Sequence, residues 1–110
     1  MSVTAVLQPE ITRFIGINQK AKDWENEGFK VKANIGGWDR PSTVEGLIPD
    51  LRGDMGSNIR IGLVSLEEDL EENMAKWGKV VEYAKNNKNV SLRVYTLGKN
   101  GECYLNKIIT

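Results

Sequence analysis

Histidine is absent from the 110-residue chain and cysteine occurs once, at Cys103. Without histidine there is no Ser-His-Asp triad, no imidazole general base and no His-ligated metal. One cysteine allows neither an internal disulfide nor a zinc centre built of several thiolates. The chain also lacks an apolar run approaching the roughly 20 residues of a membrane span. No basic segment followed by an apolar stretch opens it, so no signal peptide and no membrane partner are expected, and a cytoplasmic location is. Neither sign of charge is in excess, with Lys+Arg and Asp+Glu at 15 each. A nucleic-acid binder commonly draws sequence-independent affinity from a basic surplus, and this chain has none overall. Its acids cluster, with Glu67, Glu68, Asp69, Glu71 and Glu72 within six residues, which leaves room for a basic face elsewhere. Carboxylate and lysine chemistry are the main catalytic options left.

What is present describes one ordinary globular domain over 1–110. Hydrophobic residues make up 40% and charged residues 27%, and a chain of this size buries roughly 65% of its unfolded surface. From Pro9 to Glu27, the residues Ile11, Phe14, Ile15, Ala21 and Trp24 keep helical spacing, and Gly28 is a C-terminal stop. Phe29, Val31, Ala33 and Ile35 alternate with Lys30, Lys32 and Asn34, the period of a strand. After the turn-rich Gly36–Pro41 stretch, a short strand is expected over about Thr43–Ile48, running into Pro49-Asp50. Gly53–Asn58 reads as a turn, and Ile59–Val64 as a third strand, central because Ile61-Gly62-Leu63-Val64 is apolar on both faces. Ser65-Leu66-Glu67-Glu68 has the form of a capping box, opening a helix along Leu66, Leu70, Met74, Trp77, Val81 and Ala84. Val90–Leu97 and Cys103–Ile109 read as two last strands. This order predicts an α/β (α+β) fold, with a mixed central sheet between two helices.

The stretch Gly28-Phe29-Lys30-Val31-Lys32-Ala33, the loop Gly37-Trp38-Asp39-Arg40-Pro41 and the step Gly46-Leu47-Ile48-Pro49-Asp50-Leu51 together resemble the PD-(D/E)xK nuclease-like superfamily. Members of that superfamily have a restriction-endonuclease-like αβββαβ core. The resemblance runs from the first helix to about Leu97. It implies that Asp50 stands for the first metal-binding acid. It also places Leu63 where the second acid belongs and Ser65 where the lysine belongs. In such nucleases two acids hold Mg²⁺ through hard oxygen ligands, and the metal activates the attacking water. Leucine offers no ligand, and serine carries no charge for the phosphate.

The resemblance therefore implies a nuclease-like domain with a degenerate site, without a cofactor, acting as a structural or interaction module. Its setting would be nucleic-acid processing or a mobile element, with DNA or a protein as partner. An alternative is an active Mg²⁺-dependent nuclease whose catalytic set is Asp50, Glu67 and Glu10, with Asp50 on the metal. A third reading is an unrelated small α/β interaction domain. Lys30, Lys32, Arg40 and Arg52 form a candidate phosphate-facing patch, and Trp38 beside Arg40 is a candidate base-stacking residue. The plainer readings stand beside these: Pro-Asp is a common strand-to-turn dipeptide, Ser65 is a helix cap, and the lysines lie on a solvated strand face. Exposed sheet edges also make a homodimer through an edge an open arrangement.

Overall fold

The computed structural model describes residues 9–110. Its elements run α1 (Pro9–Asn26), β1 (Lys30–Ala33), β2 (Leu51–Met55), β3 (Asn58–Leu66), a 3-10 turn (Glu67–Asp69), α2 (Leu70–Lys76), α3 (Gly78–Asn86), β4 (Val90–Leu97) and β5 (Cys103–Ile109). One five-stranded sheet is ordered β1-β2-β3-β4-β5. β3 and β4 are parallel, and every other neighbouring pair is antiparallel. The parallel pair needs a crossover, and α2 and α3 provide it. The fold is thus the mixed α/β class read from the sequence, with β5 added at one edge.

Each face of the sheet has its own core. On one side α1 packs Ile17, Ala21 and Trp24 against Leu51, Val64, Tyr95 and Leu97. On the other, Trp77, Val80 and Ala84 cover Ile61, Leu63, Leu92 and Val94. Alternation along β3 therefore sends Gly62 and Val64 toward α1, and Ile61 and Leu63 toward α3. Trp24 lies over two glycines. A Cβ on Gly62 would fall 2.9 Å from its ring, and one on Gly53 would fall 3.1 Å from it. The Trp24 Nε1–H donates to the Tyr95 hydroxyl at 3.3 Å. The Arg60 guanidinium closes this end, 4.2 Å from the Phe29 ring centroid and bridged to Glu27 at 3.1 Å.

Four local expectations are corrected. First, the buried stripe of α1 is Ile17, Ala21 and Trp24, headed by a partly exposed Arg13, while Ile11, Phe14 and Ile15 are 48%, 43% and 40% exposed. The apolar residues of the first turns therefore leave much of their surface in solvent.

Second, Thr43–Ile48 is not a ladder strand. Val44 and Leu47 exchange backbone hydrogen bonds at 2.7 and 3.0 Å. The residues between them, Glu45 and Gly46, both have positive φ (50° and 81°). This is a miniature hairpin with a two-residue turn, and it buries Val44 in the α3-side core. The strand instead begins at Leu51, and the hairpin turn is confined to Gly56-Ser57.

Third, Ser65 is a β3 residue and not a cap; no side-chain cap bond forms at the 3-10 turn or at α2. Its hydroxyl donates to the Leu66 carbonyl at 2.7 Å and accepts from Asn73 at 2.8 Å. Fourth, the second helix is broken at Trp77-Gly78 into α2 and α3.

Candidate functional site

Pro49 and Asp50 end the 34–50 connection and lead directly into β2. Leu51 pairs with Gly62, so continuing the register would set Val64 opposite Pro49. Proline has no N–H to give, and the backbone of Val64 must find partners elsewhere. Asp50 and Arg13 supply them. The Val64 N–H donates to Asp50 Oδ2 at 2.7 Å, and Arg13 Nη1 donates to the Val64 carbonyl at 3.0 Å. Arg13 Nη2 also donates to Asp50 Oδ1, closing an ion pair. Two side chains thus complete the ladder where proline stops it.

Asp50 is buried. Burial pushes its carboxyl up from the ordinary range, while the Arg13 charge and the hydrogen bonds from Val64 and Arg13 pull it back. The guanidinium keeps its outer part in solvent, with the Arg13 side chain 42% exposed against 8% for Asp50. Beyond it opens a cleft of about 230 Å³ lined by Glu10, Arg13, Val64, Ser65, Leu66, Asp69, Asn73 and Leu97. It lies at the C-terminal ends of the parallel strands β3 and β4, where open α/β sheets commonly receive ligands.

The acids expected near Asp50 are only partly gathered. Glu10 lines this cleft, as does Asp69, but Glu67 does not. Leu63 packs in the α3-side core, and Ser65 bonds to Asn73 of α2. Both leave β3 on the face opposite α1, whereas Asp50 is engaged by Arg13 from α1. A divalent cation needs free hard oxygens. The two carboxylate oxygens of Asp50 are held by a guanidinium and an amide, so the residues present do not fit the ion. Among the described residues no group of three or more Asp, Glu, Cys or His is arranged to hold a metal ion. Burial pushes the Cys103 thiol up to about 11, away from the reactive thiolate form.

Three of the basic candidates, Lys30, Lys32 and Arg52, share one sheet face, and Arg40 and Trp38 lie apart from them. Lys30 pairs with Asp54 and Lys32 with Arg52 across β1 and β2. All four lie on the sheet face away from α1, because their strand neighbours Val31 and Leu51 pack toward it. Arg52 is already bridged to Asp54 at 3.2 Å. Arg40 is exposed in the loop. Trp38 is on the α1 side, half-buried, with its Nε1–H donating to Asn18 Oδ1 at 2.9 Å.

Arg13 was the residue that sequence reasoning missed. The signal was there: Arg13, Ile17, Ala21 and Trp24 follow one another at helical spacing, so an arginine heads the buried stripe, where a carboxylate partner is favoured. Asn73 carried no comparable signal.

No family model matches the chain, and no curated protein matches it. A solved structure is similar: a protein of unknown function from Silicibacter pomeroyi, at a TM-score of 0.53 and 15% identity. The match covers 94% of this chain and 73% of that one. At this identity the likeness concerns the fold alone.

Proposed function

We propose that the chain is a catalytically silent PD-(D/E)xK nuclease-like domain, retained as a structural or interaction module in a nucleic-acid-processing or mobile-element setting. Fold carries no function by itself, so the reading rests on the site. Its single strongest support is that Arg13 stands where a cation would meet Asp50, with the other carboxylate oxygen held by the Val64 N–H. The position of Asp50, at the start of β2 and beside the C-terminal half of β3, supports the nuclease-like part of the reading. The burial of Leu63 in the α3-side core supports the loss of catalysis.

The test is a nicking assay on plasmid and single-stranded DNA with Mg²⁺ or Mn²⁺. No cleavage above background is expected at any metal concentration. Metal-dependent cleavage that disappears in Asp50→Ala would overturn the proposal in favour of an active nuclease.

A further inference from the structure

An open cleft of about 540 Å³ is on the α1 side of the β1 edge and is lined by Glu25, Val31, Gly37, Trp38 and Asp39. Its chemistry is one-sided: two carboxylates, one indole, one aliphatic side chain and no basic residue. Neither carboxylate takes part in an ion pair within the described chain. The nearest lysine along β1, Lys32, leaves the strand on the other face with Arg52. The indole is held in position by Asn18. A Cβ placed on Gly36 or Gly37 would meet nothing within 4 Å, so the mouth is unobstructed.

An indole beside two carboxylates attracts a cation twice, by the ring quadrupole and by charge. The same pair of carboxylates repels a phosphate backbone. From this charge complementarity we infer that the Glu25–Trp38–Asp39 cleft receives a lysine or arginine side chain of a protein partner. The inference deepens the interaction-module reading by naming the partner's chemistry, and it rests on that reading only for the biological setting. It also gives Trp38 a role other than base stacking. The outward Ala33 N–H of β1 is already taken by the Asp39 carbonyl at 2.9 Å, so the partner's cationic side chain, and not an added strand, makes the contact.

The test is an NMR titration of the full chain with capped Ala-Lys-Ala and Ala-Arg-Ala peptides, with capped Ala-Glu-Ala and a single-stranded oligothymidylate as contrasts. The Trp38 indole resonance and the Gly37 amide should move saturably with the two cationic peptides, in the millimolar range for so small a probe. They should stay in place with the other two. Glu25→Gln with Asp39→Asn should weaken binding at least tenfold. Both residues are exposed, so the double variant should fold, which its unchanged spectrum elsewhere would verify. Glu71→Gln with Glu72→Gln, in the separate acidic run, should bind like the parent. Unmoved Trp38 and Gly37 resonances would overturn the inference, as would binding that survives the double variant or an equal response to oligothymidylate. Metal-dependent DNA cleavage would instead remove the silent-nuclease reading and leave this cleft standing, so the two failures are distinguishable.

Discussion

Asp50 illustrates how one residue type supports two opposite accounts. A carboxylate at a strand end beside a parallel pair is what a metal-dependent nuclease needs. The same carboxylate, set one residue after a proline, is also what an interrupted ladder needs. Here the second use is satisfied atom by atom, with each oxygen engaged and the Val64 peptide bonded on both sides. Glu45 shows a different strain at the same scale. Its φ of 50° is left-handed, a region that glycine enters freely and a glutamate does not. Its side chain is exposed, so little packing is at risk. Glu45→Gly should therefore leave stability unchanged or raise it by up to about 1 kcal/mol, read from the urea midpoint. A loss of stability would show that the Glu45 side chain holds the miniature hairpin.

At the scale of elements, α1 and its contacts with the sheet determine much of the architecture. Gly16 sits in the middle of this helix, where alanine would ordinarily gain about 1 kcal/mol. A Cβ there would fall 2.8 Å from the Gly101 carbonyl oxygen and 2.7 Å from Cys103 Sγ. Backbone cannot give way cheaply, so the steric term should win. Gly16→Ala is expected to lower stability by about 1–3 kcal/mol, measured by denaturant unfolding. A stabilised variant would mean that the approach of α1 to the β4–β5 turn is looser than described.

Element type and order were legible because periodicity is a local property. The alternation through Phe29–Ile35, the apolar run at Ile61–Val64 and the glycine stop at Gly28 each mark an element from its own residues. What stayed illegible depended on partners distant in sequence. The outward Ile11, Phe14 and Ile15 mimic a core stripe, and only the sheet shows that Ile17, Ala21 and Trp24 are the buried one. Val44 and Leu47 look like strand residues, but their role is to plug the α3-side core from a loop. Ser65 fits a capping box by spacing, yet β3 extends through it because Ser65 pairs with Thr96 of β4. Asp50 was legible as a marked residue. Its partner Arg13, 37 positions away, was not paired with it.

At the scale of the whole molecule, the chemistry is divided between two regions. One is the cleft at the C-terminal ends of β3 and β4, where Arg13 closes over Asp50. The other is the acidic, tryptophan-lined cleft beside β1. Lys30, Lys32 and Arg52 occupy the opposite sheet face near that edge, and of the run Glu67–Glu72 only Asp69 lines the first cleft. Asp50 completes the ladder as a structural residue, and unfolding thermodynamics tests that role better than activity does. Removing an acid from a metal-binding acidic cluster relieves repulsion and commonly stabilises the apo-protein, whereas removing Asp50 here leaves the buried Val64 N–H without its acceptor. The decisive measurement is the unfolding free energy of Asp50→Ala and of the parent, each with and without Mg²⁺. The variant is expected to lose about 1–3 kcal/mol, with Mg²⁺ shifting neither protein. A variant as stable as the parent, together with a parent that Mg²⁺ stabilises, would contradict that structural role and return Asp50 to a metal site.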